Sequence, residues 1–317
     1  MDKPPPPRPA LIVHAGAWAI PEEERPAHRA GCLAAVRAGW ARLQEGARAI
    51  EVVRAAVRVL EEDPALNAGT GCVLDRDGNA RLDAGLMFGS DRSVGAVAGV
   101  ARVKHPIEAA EVVRESRHVL LAGEGAEAFV ASRGMTLGDA DRHVVPREVA
   151  RLEAWRARRP GDGEEHGTDF GSGGSAVSEP PSPGDTVGAV AVDSHGRIAA
   201  AASTGGLCGK RPGRVGDTPV PGAGFYADDI LGGAACTGHG EALLSMGLAR
   251  RACELARENS APDATWLAMQ ELEKRWSGKG GVILIARNGS IGFSFNTPAM
   301  AVAYMDAELI EPFVGGM

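Results

Sequence analysis

Hydrophobic and polar positions fall into two textures along the 317-residue chain. Short runs that are apolar at odd and even positions alike predict strands buried on both faces, at 10–20 ("ALIVHAGAWAI"), 94–103, 186–192 ("TVGAVAV") and 197–204 ("RIAAAAST"). The first of these ends in small residues that suit a tight turn. Stretches with apolar residues every three or four positions predict helices over 29–46, with Gly46 as a stop, and over 50–63, 105–134, 238–258 and 263–276. Asp77-Gly78 and Asn288-Gly289 are turn pairs between strand patterns, the second inside a hairpin over 280–297. The 186–192 and 197–204 runs flank "DSHG" and form a hairpin of their own. Centred on His195, its register sets Thr186 opposite Thr204 at the open end, and a slip of one residue would turn them apart. Doubly buried strands with helices in both halves predict a sheet-on-sheet sandwich covered by helices.

One segment fits neither texture. Over 160–185, "PGDGEEHGTDFGSGGSAVSEPPSPGD", Gly, Ser, Pro and acidic residues dominate. Such a stretch buries too little apolar surface to offset its ordering entropy, and it reads as a disordered linker. A long structureless loop inside a compact domain asks for a functional reason.

Composition narrows the class. Hydrophobic residues make up 44% and aromatics 4%, so the layers pack through small side chains. The formal charge of −7 without a dense basic tract speaks against a nucleic-acid partner. No apolar run reaches the roughly 18 residues of a membrane span, and the opening "MDKPPPPRPA" has no signal-peptide core, so no membrane partner is expected. The five cysteines, Cys32, Cys72, Cys208, Cys236 and Cys253, are scattered singly, which fits a reducing cytoplasm. Without a CxxC or HxxxH pattern, no structural zinc site is expected.

Three places carry candidate chemistry. A threonine opening a strand is ordinarily a β-branched residue in a suitable setting. Thr186, however, stands where the linker meets a buried strand. Cut before it, Thr186 would hold a hydroxyl and a free α-amine, and an α-amine of pKa about 7.7 can act as a base at neutral pH. The loop 210–224 is too rich in Gly and Pro for a helix. It is a solvated surface loop, or Arg214 and Asp217 form a cation and anion complementary to the head group of a free amino acid. "CTGHGEALL" over 236–244 reads either as a helix start capped by Thr237 or as an oxyanion hole of N–H groups and the threonine hydroxyl. His239 has no Ser or Cys motif to serve and reads as a local hydrogen-bonding group.

Taken in order, "VHAGA", "LEEDPALNAGTG", "GDTVGAVAVD", "STGGLCGKRPGRVGD" and "CTGHGE" resemble, nearly end to end, the plant-type L-asparaginase and isoaspartyl peptidase family of N-terminal nucleophile hydrolases. The resemblance implies an α+β fold, a four-layer αββα sandwich. It implies a single domain over 1–317, made as a precursor that cuts itself between Asp185 and Thr186 into subunits 1–185 and 186–317. By the same resemblance Thr186 matches the nucleophile and Thr204 the second active-site threonine. Arg214 and Asp217 match the residues that hold the α-carboxylate and α-amine of the substrate, Thr237 and Gly238 the oxyanion pair, and Asn67 an asparagine near the nucleophile. Backbone carbonyls of Leu60, Glu61, Asp63, Leu66, Ala68 and Thr70 match a sodium-binding loop, and no cofactor is implied for catalysis. The implied substrates are asparagine and β-aspartyl dipeptides, and the implied assembly is a homodimer of two-subunit units.

The sequence also departs from the family's usual pattern. "HAGAW" stands in place of a glycine-rich "HGGAG", with Ala15 and Trp18 stiffening that segment. Phe88 stands where many relatives have aspartate, and Asp185 where many isoaspartyl peptidases have glycine. An aspartate at 185 is shared with glycosylasparaginases and the taspase branch, so those specificities, or an unprocessed inactive relative that binds aspartyl ligands, are the alternatives.

Overall fold

A computed structural model describes residues 8–158 and 186–316. The 160–185 linker and Asp185 lie outside the described residues. The chain opens with β1 (Ala10–Trp18), α1 (Arg25–Gln44) and α2 (Ala49–Glu62). There follow β2 (Leu82–Phe88), β3 (Ser93–Val100), α3 (Pro106–Arg114), β4 (Leu120–Ala122), α4 (Gly123–Ser132) and α5 (Pro146–Arg158). The second half holds β5 (Val187–Val192), β6 (Ile198–Thr204), β7 (Phe225–Asp228), β8 (Gly232–Gly238), α6 (Gly240–Met246), α7 (Leu248–Leu255) and α8 (Ala261–Trp276). It closes with β9 (Gly280–Ala286), β10 (Ile291–Phe295), β11 (Ala299–Asp306) and β12 (Phe313–Gly315).

Two sheets form. One has eight strands in the order β12-β11-β1-β5-β6-β2-β3-β4, and the other four in the order β10-β9-β8-β7. Alternation of side chains along each strand divides the core into three clusters. Odd-numbered residues of β5 and β6, such as Ala189 and Ala201, pack under Val53 and Val57 of α2. Even-numbered ones, such as Val190 and Ala200, meet Phe225, Ala235, Ile283 and Ile285 of the second sheet. The other face of that sheet, through Ala234, Val282 and Leu284, packs on Leu243, Ala252 and Leu272 of α6, α7 and α8. Both faces of β5 and β6 are thus buried, as the unbroken apolar runs predict. Small residues let the layers close up: a Cβ at Gly39 of α1 would lie 2.5 Å from the Leu11 side chain of β1.

The hairpin register is the predicted one. Pairs run from Val192–Ile198 to Val187–Ser203, so it is centred on His195 and Thr186 and Thr204 are the next positions out. Other elements differ from the pattern reading. β1 runs to Trp18 without a terminal turn and carries a bulge between His14 and Ala17. The apolar period over 105–134 is interrupted by β4, which pairs in parallel with β3. The helix expected over 238–258 breaks at Gly247, whose φ of 68° ends α6 in the left-handed region that glycine tolerates. Thr237 is the penultimate residue of β8, and His239, not Thr237, precedes the first turn of α6. Around Asp77-Gly78 there is a single bridge, Leu74–Ala80. The turn is held by the Asp75 carboxylate, which accepts the N–H groups of Asp77 and Asn79.

Candidate active site

The open end of the β5–β6 hairpin faces the ends of β8 and the loop that precedes β7. Thr186, Thr204, Gly206, Leu207, Arg214, Gly216, Asp217, Thr218 and Gly238 line one cleft there. The space between them is about 10 Å³, room for about one water.

Each hydroxyl is placed by a different element. Thr186 leads into β5, buried, with its Oγ1 3.4 Å from Oγ1 of Thr218. His14 of β1 lies against the Thr186 backbone. Burial lowers the His14 pKa to about 3, although its polar contact with that backbone pulls the other way, so the ring is neutral at physiological pH. Gly188 makes room for the ring, since a Cβ there would lie 2.3 Å from His14 Nε2. Thr204 ends β6, and its Oγ1 accepts the N–H of Gly206 at 2.9 Å. Asn67 fixes the turn that follows: its Nδ2 donates to the Gly206 carbonyl at 2.8 Å, and its own carbonyl accepts the Gly205 N–H at 3.1 Å.

Two charged groups converge on the cleft. A Cβ at Gly240 would lie 2.8 Å from Arg214 Nη2 and 3.0 Å from Asp217 Oδ1, so the glycine allows both to approach. The guanidinium is held by Glu241 of α6, with Nε and Nη2 donating to Oε1 and Oε2 at 3.0 Å each. Burial pushes the Asp217 carboxyl up to about 7, Arg214 opposing this and Glu241 and Asp83 adding to it. Asp83 is paired with Thr204 across β2 and β6. It is buried, which raises its pKa, and the ammonium of Lys210 lowers it again. Lys210 donates to the Arg81 carbonyl at 2.9 Å.

Thr237 is fully buried, and its hydroxyl has no hydrogen-bond partner among the described residues. Gly238 follows at φ 137°, where a Cβ would lie 2.4 Å from Gly280 Cα. Because both sit at the end of a strand, the helix start expected for this pair does not contain them. His239 Nε2 stands 3.8 Å from Glu241 Oε2, and burial lowers its pKa.

Within the loop after α2, the Glu61 carbonyl accepts Thr70 N–H at 2.9 Å, that of Asp63 accepts Leu66 N–H at 3.1 Å, and that of Leu60 accepts Asp63 N–H at 3.4 Å. The carbonyls of Leu66, Ala68 and Thr70 accept no backbone N–H among the described residues. Positive φ angles at Gly69 and Gly71 turn the loop back on itself. No cluster of three or more His, Cys, Asp or Glu side chains that could hold a metal occurs among the described residues.

The structure therefore brings Thr186, Thr204, Arg214, Asp217 and Gly238 to one cleft, with Asn67 behind it and Thr237 beside it. Thr218, His14 and Glu241 were not among the sequence candidates. Thr218 directly follows Asp217, but a threonine before Pro219 in a loop carries no pattern of its own. His14 and Glu241 lie inside "VHAGA" and "CTGHGE", where only contact distances reveal what they touch.

Buried hydroxyls stand here beside an arginine and a carboxylate, a pair of charges complementary to a small zwitterion. A family model described as asparaginase matches residues 7–314. The chain is 39% identical over 311 residues to the plant-type L-asparaginase of Pyrococcus abyssi, covering 96% of this chain and 99% of that one. It is 40% identical over 315 residues to the plant-type L-asparaginase of Pyrococcus furiosus, with coverage of 96% and 99%. It is 35% identical over 295 residues to the isoaspartyl peptidase/L-asparaginase of Bos taurus, with coverage of 92% and 91%. The chain belongs to the asparaginase family and is a hydrolase, as its sequence motifs imply. Among the described residues no helix is long and apolar enough to cross a membrane.

Proposed function

We propose that the chain is a self-processing amidohydrolase that cleaves isoaspartyl dipeptides and L-asparagine and releases L-aspartate. The three core clusters support a four-layer αββα sandwich of the N-terminal nucleophile hydrolase type. The observation that carries the reading is the single cleft that holds Thr186, Thr204, Arg214 and Asp217 together.

In the first stage the Thr186 hydroxyl oxygen attacks the carbonyl carbon of Asp185. The C–N bond breaks, the nitrogen takes the hydroxyl proton, and an ester forms. Water hydrolyses it to the Asp185 carboxylate and restores the Thr186 hydroxyl, now beside a free amine. The cut removes the acyl group from the Thr186 nitrogen and leaves it a free amine. In the second stage that amine takes the hydroxyl proton and the oxygen attacks the substrate's amide carbonyl. Arg214 receives the α-carboxylate, and Asp217 the α-ammonium. The unpaired Thr237 hydroxyl and the Gly238 N–H receive the oxyanion. Ammonia or an amino acid leaves, and water releases aspartate from the Thr186 ester. Thr204 stands beside the nucleophile throughout, and Asn67 keeps the turn after it in shape.

Hard cations take oxygen ligands, and the unbonded carbonyls of Leu66, Ala68 and Thr70 fit one, with second lone pairs on Leu60, Glu61 and Asp63. We assign this loop to sodium in a structural role. Intact mass spectrometry of the purified protein, followed by paired assays on asparagine, β-aspartyl-leucine and glycosylated asparagine, tests the reading. Chains of 1–185 and 186–317 with turnover of the first two substrates are expected. A single full-length, inactive chain, or turnover of glycosylated asparagine alone, overturns it.

A further inference from the structure

Resting on that reading, we propose that Thr218 is a positioning residue for the self-cleavage step, holding the Thr186 hydroxyl in place while the Thr186 nitrogen is still an amide. The two hydroxyl oxygens are 3.4 Å apart, and both residues are buried. That separation is longer than a relaxed O–H···O bond and within reach of one after a small rotation.

Placement of Thr218 is rigid. Its loop closes with Val220 N–H donating to the Asp217 carbonyl at 2.9 Å. Gly224 packs directly beneath, where a Cβ would lie 2.5 Å from the Asp217 carbonyl oxygen and 2.6 Å from Thr218 Cα. On the other side, the Thr186 backbone is flanked by the neutral His14 ring, which is seated over Gly188. With the backbone of the nucleophile fixed, the freedom that remains is its χ1 angle, with three staggered wells. A hydroxyl on the facing loop selects among those wells.

This selection matters more before the cut than after it. While it is still an amide the nitrogen neither accepts a hydrogen bond nor takes a proton; it becomes basic only after the hydroxyl oxygen has attacked, and then takes the proton as the C–N bond breaks. Once it is a free amine, it can hold the hydroxyl itself. Thr218 takes no proton in the net step, because the hydroxyl proton ends on the Thr186 nitrogen and the electron pair of the broken C–N bond stays there. The loop that carries the substrate-binding pair Arg214 and Asp217 therefore also carries the group that prepares the nucleophile to be made.

The test compares Thr218→Val, Thr218→Ser and Thr218→Ala with the unaltered chain. Two rates are read: conversion of one chain to two by intact mass spectrometry, and asparagine hydrolysis per mole of freed Thr186 amine. Thr218→Val is expected to slow conversion about five- to tenfold, the effect of one lost hydrogen bond, and to slow turnover by less. Thr218→Ser is expected to convert faster than Thr218→Ala, which isolates the hydroxyl without the methyl group if the valine variant does not fold. Conversion of Thr218→Val at the unaltered rate overturns the inference, as does equal slowing of both rates with serine no better than alanine. Failure of the unaltered chain to convert overturns the self-processing reading and this inference with it. Normal conversion of every variant overturns the inference alone.

Discussion

Thr186 and Thr204 are opposed positions at the open end of one hairpin, one register step beyond the pair Val187–Ser203. Even-numbered side chains of both strands face the second sheet, so the two hydroxyls project to the same side, into the cleft that both residues line.

Thr204→Val keeps the β-branched shape and removes the hydroxyl that accepts the Gly206 N–H. Turnover of asparagine is expected to fall at least about tenfold, while stability drops by about 1 kcal/mol, the value of one hydrogen bond. Thr204→Ser should recover part of the activity. Steady-state kinetics with thermal melts check this, and a fully active valine variant counts against a role for the Thr204 hydroxyl.

Thr186→Ala should remain a single chain and hydrolyse nothing, since it lacks the attacking oxygen. A denaturing gel and intact mass decide it. Efficient cutting of this variant in protease-free conditions would mean that another agent makes the cut.

Arg214→Ala removes a charge-assisted contact of about 1.5–3 kcal/mol, or roughly one to two decades in kcat/KM for asparagine. Circular dichroism should show an unchanged fold. Unaltered kinetics would take Arg214 out of substrate recognition.

Asp217 gives a pH dependence of defined sign. Burial raises its pKa to about 7, so it carries the charge needed to meet an α-ammonium only above that pH. KM for asparagine should rise as pH falls through about 7, whereas protonation of the Thr186 amine, near about 7.7, should lower kcat as well. Asp217→Asn should weaken binding and flatten the KM profile. A KM that is constant from about pH 6 to 8 in the unaltered enzyme would contradict the assignment.

Gly188→Ala places a Cβ 2.3 Å from His14 Nε2 and 3.0 Å from the Ala235 side chain. Overpacking of this kind costs about 1–3 kcal/mol. It also pushes the His14 ring off the Thr186 backbone, so both the melting temperature and the rate of cutting should fall. A variant as stable and as quickly cut as the parent would show that the ring has room to move.

Legibility in the sequence followed the physics of each element. The β5–β6 hairpin was readable because the "DSHG" turn between two unbroken apolar runs centres the pairing on His195, and the structure has that register. The helix over 238–258 was misread because its apolar period continues smoothly through Gly247, and only the backbone angle there shows the break. Thr237 read equally as a helix cap or as an oxyanion donor, because a threonine before a glycine and an apolar run has the same letters at a strand end, where it lies. β7, β8, β11 and β12 were not read: β7 and β12 have only four and three residues, too short for a pattern, although each pairs with its neighbour in sequence, β8 and β11. Of the candidate site, Arg214 and Asp217 were legible from their charge. Their separation was not: Arg214 is forked onto Glu241, a residue 27 positions away, and no local spacing encodes that.

The strand order has a consequence for what happens after a cut before Thr186. β1 comes from the first piece and lies between β11 and β5 of the second, while β6 of the second lies against β2 of the first. The two pieces are thus interleaved in one sheet, and neither can depart without tearing ladders on both of its flanks. Gel filtration of the native enzyme would pass over the cut, and only a denaturant would reveal it. Recovery of the fold after denaturation would change its molecularity: the uncut chain refolds at a yield independent of concentration, whereas the severed pieces must first meet, and their yield rises with protein concentration.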